Sequence, residues 1–345
     1  MHRKLAAFML AVCLSLSLGG CAPNTEQPER YQAQFLSLFD TLTTVVGYAD
    51  TEEDFTAQAA AVRDALQVYH ELYDIYNTYE GLTNLKVVND TAALAPVQVD
   101  KRIMDLLVEA KEMYAETDGR VNIAMGSVLS VWHDYRDAGI NDPESAELPP
   151  MELLREAAQH TDLNDLILDE QALTVYFADP GLKLDVGAIA KGYAVERVAD
   201  ELSAAGITSL LLSVGGNVRA IGAKGDEPWS VGIQDPDGEG LLCSVEAIDT
   251  SVVTSGVYQR YYTVDGRQYH HIIDPDTLMP SEYYLSVSVV YADSGQADAL
   301  STALFNLSLE RGRALIESLP DAYAIWVLPD GSIEYSAGFE RLAKF

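Results

Sequence analysis

Four short segments concentrate the residue types that do polar chemistry. The first, Lys183-Leu-Asp-Val-Gly-Ala-Ile-Ala-Lys-Gly192, runs an extended stretch through a glycine-bearing turn into a helix. Backbone N–H groups at such a helix start point outward and attract anions. Gly187 and Gly192 have the spacing of a phosphate-binding loop, but Tyr193 stands where that motif needs a lysine. Lys191 is left as an anion contact, while Asp185 is equally suited to capping the helix. The second segment, Ser213-Val-Gly-Gly-Asn217, ends in two glycines, which admit a ligand, a second backbone or simply a tight turn.

The third segment is Thr254-Ser255-Gly256, followed by His270-His271-Ile-Ile-Asp274-Pro275. Neighbouring residues on a strand face opposite ways, so the two histidines do not share one metal. No HExxH pattern or cysteine cluster is present, so zinc is not indicated. A histidine beside an aspartate suits a general base, or it closes a strand before an Asp-Pro turn. In the fourth segment, Ala297-Asp298-Ala-Leu-Ser-Thr302, Asp298 and Thr302 lie four apart and share one helix face. A carboxylate and a hydroxyl suit a hard cation such as Mg²⁺ that keeps waters and phosphate oxygens as its other ligands. The competing reading is a capping Asp with a helical Thr behind it.

The elements that must position these residues read as α+β. Residues 35–49 form a Thr/Val-rich strand, and 58–79 a helix with Tyr69, Tyr73 and Tyr76 on its apolar stripe. Helices follow at 101–116, stopped by Asp118-Gly119, and at 151–160 after Pro149-Pro150. Strands are expected at 172–177 and 182–186, and a helix at 188–205 closed by Gly206. Strands at 209–214, 229–234, 245–249, 260–264, 285–291 and 323–328, and a helix at 298–307, complete the reading. Strands and helices mix without a strict βαβ rhythm, which argues against a doubly wound sheet. No repeat breaks the chain, so residues 35–345 are expected to be one domain.

The 345 residues carry 22 Lys+Arg against 53 Asp+Glu, a net charge of −31, with 48% apolar residues. That apolar share supports a packed core and argues against disorder. The acidity argues against nucleic-acid binding, and it means an anionic substrate needs a local device to hold it. Arg3 and Lys4 precede an apolar run that ends in Leu18-Gly19-Gly20-Cys21. A positive start, a short apolar stretch and small residues read as a secretory signal over 1–20, too short to span a bilayer. The small-small-Cys ending resembles a bacterial lipobox, which implies a lipidated Cys21 and a polar tether over 21–34. Of the three cysteines, Cys13 would leave with the signal and Cys21 would carry lipid, so Cys243 would have no partner.

Taken together the segments resemble the ApbE family of FAD:protein FMN transferases. LDVGAIAKGYAVE is the most specific match, followed by TSGVYQRY, HIIDP and ADALSTALF, in the family's order. Phe39-Asp40-Thr41, the stretch from Tyr79 to Asn89, and Asn122-Ile-Ala-Met-Gly126 are similar to its other motifs. The resemblance implies a single α+β, T-fold-related domain with mixed sheets and packed helices. It implies binding of FAD with Mg²⁺, transfer of FMN to a Thr or Ser of an acceptor protein, and release of AMP. By position, Asp185 and Lys191 would contact FAD. Phe39, Tyr79, Ala124, Met125, Gly126 and Ile273 would line the flavin site. The carbonyl of Ala188, with Asp298 and Thr302, would hold Mg²⁺, and His271 would be the base. Three positions depart from the family pattern: Asn217 for Asp, Thr277-Leu278 for Thr-Gly, and Ala188 for a second glycine.

The expected protein is thus a lipid-anchored flavin transferase on the extracytoplasmic face of the cell membrane, acting on FMN-carrying subunits of membrane redox complexes. The rival readings are an FAD pyrophosphatase of the same family, a solute-binding lipoprotein and a flavin-storage protein.

Overall fold

The computed structural model describes residues 28–238 and 240–345. The expected signal segment and the lipidation position Cys21 lie outside the described residues. The fold is α+β, as the unpatterned mixture of elements indicates. Its centre is an eight-stranded sheet whose strands pair in chain order: Glu29–Leu38, Thr41–Ala49, Ser209–Val214, Asn217–Gly222, Ser251–Gly256, Ser286–Tyr291, Tyr323–Val327 and Ile333–Tyr335. Every neighbouring pair in it is antiparallel.

The strand expected at 35–49 is two strands. Phe39 and Asp40 both take left-handed φ values, 53° and 52°, and make the tight turn that pairs Leu38 with Thr41. The first strand starts at Glu29, which pairs with Ala49, so the sheet claims residues expected in the tether. Alternation in Tyr-Gln-Ala-Gln-Phe, with Ala33 and Phe35 buried, explains why this polar stretch joins the sheet.

Eight helices are described. They are α1 (Glu52–Tyr73), α2 (Leu85–Thr91), α3 (Lys101–Glu116), α4 (Gly126–Asn141), α5 (Met151–Ala157), α6 (Ala190–Ala204), α7 (Ser294–Phe305) and α8 (Leu309–Ser318). Helix α1 starts six residues before its expected beginning, because the Thr51 hydroxyl accepts the Asp54 N–H and three acids fill the first turn. It stops at Tyr73, not at residue 79, because the Asp74 carboxylate takes the N–H groups of Tyr76 and Asn77 into a turn. Helix α7 also starts early, capped by Asp293. Residues 182–186 are not a strand; they are extended chain with one parallel bridge, Met125 to Lys183. The Asn89 side chain clamps this stretch from both sides, donating to the Leu184 carbonyl and accepting its N–H.

Period-two alternation splits the sheet's side chains between two cores. Val253, Val289 and Ala324 face α1, α3, α6 and α7 in the main core. Val252, Val290 and Ile325 face the opposite way, against a three-stranded sheet of Ala343–Lys344, Leu241–Ala247 and Trp229–Gln234. A third cluster packs α4 on the hairpin Tyr261–Val264 and Arg267–His270, with Ile273 and Leu278. Among the described residues no helix is long and apolar enough to cross a membrane. Cys243 is buried and unpaired.

Candidate active site

The site begins where α6 meets α7. Gly192, in the first turn of α6, lies so close to α7 that a Cβ there would stand 2.1 Å from the Ser294 carbonyl and 2.6 Å from Asp298 Cβ. Only glycine permits that approach. It lets the Gly192 N–H donate to Asp298 Oδ2 at 2.9 Å. Asp298 is therefore not a helix cap, since Asp293 holds that place. It is a carboxylate with 4% of its surface exposed, one turn into α7. Its other contact is long: Lys191 Nζ stands 3.4 and 3.5 Å from its two oxygens. Burial pushes its pKa up, opposed by Lys191 and the Gly192 N–H.

A layer of polar residues behind this junction fixes it. The Arg219 guanidinium makes two bonds to Glu196 of α6, at 2.9 and 3.0 Å. Glu196 in turn accepts the Ser294 N–H at 2.7 Å, and the Ser294 hydroxyl donates to Asn217 Oδ1 at 2.7 Å. Asn217 is fully buried in this layer, at the end of the Gly215-Gly216 turn. On the other side of α7, Ser301 donates to the Asp298 carbonyl and pairs with Ser255 of the Thr-Ser-Gly segment.

In front of the junction opens a cavity of about 850 Å³. Asp298, Thr302, Ala188, Lys191, Asp185, His271, Phe39, Met125 and Ile273 all line it. Segments far apart in sequence are thus brought to one wall; Arg260, for example, donates to the Phe39 carbonyl at 3.2 Å. Four acids line the cavity (Asp40, Asp74, Asp185, Asp298) and four bases (Arg120, Arg136, Lys191, Arg260). A chain of net charge −31 therefore holds a cleft whose lining is formally balanced, so an anionic ligand meets no local excess of negative charge there.

Three expected flavin-site residues do not line the cavity. Ala124 is fully buried beneath it, and Gly126 gives its N–H to the Lys183 carbonyl at 3.1 Å, so both support the wall from behind. Tyr79 points its hydroxyl to Asp74 at 2.8 Å. Tyr76 faces the cavity instead, 56% exposed, because α1 has already ended and the Asp74 turn rotates the chain. Its hydroxyl lies 3.0 Å from His133 Nδ1, and His133 Nε2 lies 3.8 Å from Asp185 Oδ2. Burial lowers the His133 pKa despite Asp185. Burial also opposes ionisation of Asp74, but bonds from Asn77, Tyr76 and Tyr79 outweigh it and hold that carboxyl below its usual value. The Asp-Ile-Tyr-Asn turn signal at 74–77 is what would have separated Tyr76 from Tyr79 in the sequence. Asp185 does not cap α6 either: its Oδ1 takes the Gly187 N–H at 2.8 Å, shaping the loop that presents Ala188.

The two histidines face opposite ways, as strand geometry requires. His270 is buried, with Nδ1 accepting the Ile272 N–H and Nε2 donating to the Ser281 carbonyl at 2.8 Å. His271 lines the cavity. Its Nδ1 stands 3.2 Å from the Arg260 carbonyl, which only accepts, so Nδ1 carries the proton and the Nε2 lone pair is free. Burial first, then the Arg260 guanidinium, push its pKa down to about 3, so the ring is neutral. Arg120, missed from the sequence, braces the Asp-Pro turn through Asp274 at 3.4 Å and Asp276 at 2.6 Å.

Among the described residues no three His, Cys, Asp or Glu side chains cluster as a metal cage. The donor set of Asp298, Thr302 and the Ala188 carbonyl still fits Mg²⁺. All three are hard oxygen donors, and the buried Asp298 carboxylate has only a long contact to its lysine.

Residues 39–326 match the ApbE family. A Treponema pallidum protein named FAD:protein FMN transferase is 33% identical over 95% of this chain and 92% of its own length. A Klebsiella pneumoniae protein of the same name is 32% identical over 82% and 87%. Among solved structures, the Thermotoga maritima ApbE protein superposes with a TM-score of 0.80 at 29% identity, covering 92% of this chain and all of the other. The apo flavinyl transferase ApbE of Pseudomonas stutzeri gives 0.76 at 26%, over 92% and 98%. With the match spanning the site from Phe39 to Thr302, this chain belongs to the ApbE family.

Proposed function

We propose that this chain is an FAD:protein FMN transferase that uses Mg²⁺ to move FMN from FAD to a Thr or Ser hydroxyl of an acceptor protein, releasing AMP. The observation that carries the reading is Asp298: a buried carboxylate held in mid-helix by the Gly192 N–H, lining one cavity with Thr302, Ala188, Lys191 and His271. Mg²⁺, held by Asp298, Thr302 and the Ala188 carbonyl, would neutralise charge on the diphosphate. Lys191 adds a second positive charge beside it. The acceptor oxygen attacks the FMN phosphorus, and the bond from that phosphorus to the bridging oxygen breaks, leaving AMP. The hydroxyl proton passes to His271 Nε2, the nitrogen left free by the Arg260 carbonyl. The anionic diphosphate offsets Arg260 and Lys191, the charges that help hold this ring neutral, and so favours its protonation. Tyr76, Phe39, Met125 and Ile273 offer the aromatic and apolar surface for the flavin ring.

The proposal extends to location. Arg3, Lys4, the apolar run and Cys21 support export and lipid anchoring on the extracytoplasmic face of the cell membrane. The acceptor is then an FMN-carrying subunit of a membrane redox complex. Incubation of the protein with FAD, Mg²⁺ and such a subunit should give a covalently fluorescent acceptor band and one AMP per flavin transferred. A dark band overturns the reading, and equal AMP release with and without acceptor assigns the site to FAD hydrolysis.

A further inference from the structure

We propose that the acceptor protein docks by adding a β-strand to the open edge of Trp229–Gln234, which delivers its hydroxyl-bearing residue to His271. The proposal rests on the transferase reading above.

Trp229–Gln234 is the last strand of the three-stranded sheet and pairs, among the described residues, only with Leu241–Ala247. Every second residue of such an edge directs its N–H and C=O away from the sheet. Ser230, Gly232 and Gln234 are exposed, while Trp229, Val231 and Ile233 are buried in the core beneath. Exposed edges are ordinarily blunted by charge, proline or a bulge. This one carries no charge and no proline over six residues, in a chain that is 22% charged, and its register shift comes only at Gln234. It is an edge left available for pairing.

The same edge is continuous with the reaction cleft. Val231, Gly232 and Gln234 line the cavity that holds His271 and Asp298. So do Val218 and Val252, which lie on the sheet face opposite the helices. The cavity therefore turns around the Gly215-Gly216 hairpin tip, from the helix side of the central sheet to its other face. Gly216, at φ +88°, keeps that corner open. A Cβ there would lie 2.8 Å from Gln259 Nε2 and 3.2 Å from the Thr254 carbonyl. An extended segment lying along Trp229–Gln234 would cross Val218 and Val252 and reach His271 past this corner. Main-chain pairing grips such a segment whatever its side chains, and it fixes the parity of the residue presented to the base.

The test uses the full protein with Mg²⁺, FAD and two probes: an unmodified FMN-carrying subunit, and eight-residue peptides copied from around its acceptor hydroxyl. Hydrogen exchange of Trp229–Gln234 should slow when the subunit binds. Peptides N-methylated at every second residue on one parity should raise the acceptor KM about tenfold or more, through the loss of two hydrogen bonds. Methylation on the other parity should leave KM within about twofold, because those amides face away from the edge. A labelled acceptor with no slowing at this strand, or equal effects of the two parities, overturns the docking and leaves the transferase reading intact. No labelled acceptor at all overturns both. Slowing that needs no acceptor and grows with enzyme concentration assigns the edge to a second copy and also overturns the proposal.

Discussion

Asp298 Oδ2 accepts the backbone N–H of Gly192 at 2.9 Å, joining the first turn of α6 to the body of α7. The bond fixes the place of the carboxylate, since a side chain at residue 192 would collide with α7, and together with Lys191 it favours the ionised form against burial. Asp298→Asn keeps an acceptor for that N–H and removes the charge. Mg²⁺-dependent AMP release should fall about a hundredfold or more, the loss of a charge-neutralising site. The urea midpoint should hold or rise, since burial already opposes ionisation here. Unchanged activity refutes the metal assignment.

His271→Ala should slow transfer to the acceptor much more than it weakens FAD. The ring contributes a proton acceptor at Nε2, worth about a hundredfold or more in rate for a positioned base. Flavin fluorescence titration and single-turnover labelling separate the two effects. Equal losses in binding and rate would make His271 a structural residue.

Tyr76 and Tyr79 should behave differently although they lie three residues apart. Tyr76→Ala removes aromatic surface from the cavity and should weaken FAD by about tenfold. Tyr79→Phe removes the bond to Asp74 and should cost about 1 kcal/mol of stability with FAD affinity intact. The reverse pattern would return Tyr79 to the flavin site.

His271 should add stability as pH rises from about 3 to about 6.5, opposed in the upper part of that range by Glu109, whose carboxyl pKa is raised by burial to about 7. The unfolded chain protonates His271 near pH 6.5, whereas the folded chain does so only near pH 3. Between those values the unfolded state binds more protons at this ring, so its titration favours unfolding in acid. The pKa values of His133 and His270 are lowered by burial and act in the same direction. Denaturation midpoints for wild type and His271→Gln across this range provide the check: the variant should show the shallower slope, and parallel slopes would refute the link.

Leu278 occupies a left-handed conformation, φ +61°, a region that glycine adopts without a steric penalty. Leu278→Gly relieves about 1 kcal/mol of backbone strain. It also removes an 8% exposed side chain from the cluster around Trp132, a loss of about 2–4 kcal/mol. The packing loss is the larger effect, so chemical denaturation should show a less stable protein. A more stable variant would mean that strain dominates.

The sequence by itself determined the features that depend on local geometry. Asp298 and Thr302 share a helix face because four residues make one turn, and His270 and His271 part because strands alternate. Motif order, from Phe39 through LDVGAIAKGYAVE to ADALSTALF, was enough to identify the family, since the same peptides in the same order imply the same packing. What only the tertiary structure decided was which polar and aromatic groups face one cavity. Tyr76, and not Tyr79, lines the cavity because a side-chain turn at Asp74 ended α1. Polar residues 29–34 joined the sheet because the Phe39-Asp40 turn folded them onto Thr41–Ala49. Arg260 and Phe39 meet across 221 residues of chain. Periodicity carries information over a few turns of chain, whereas burial and cavity walls arise from contacts between distant segments, which no local pattern encodes.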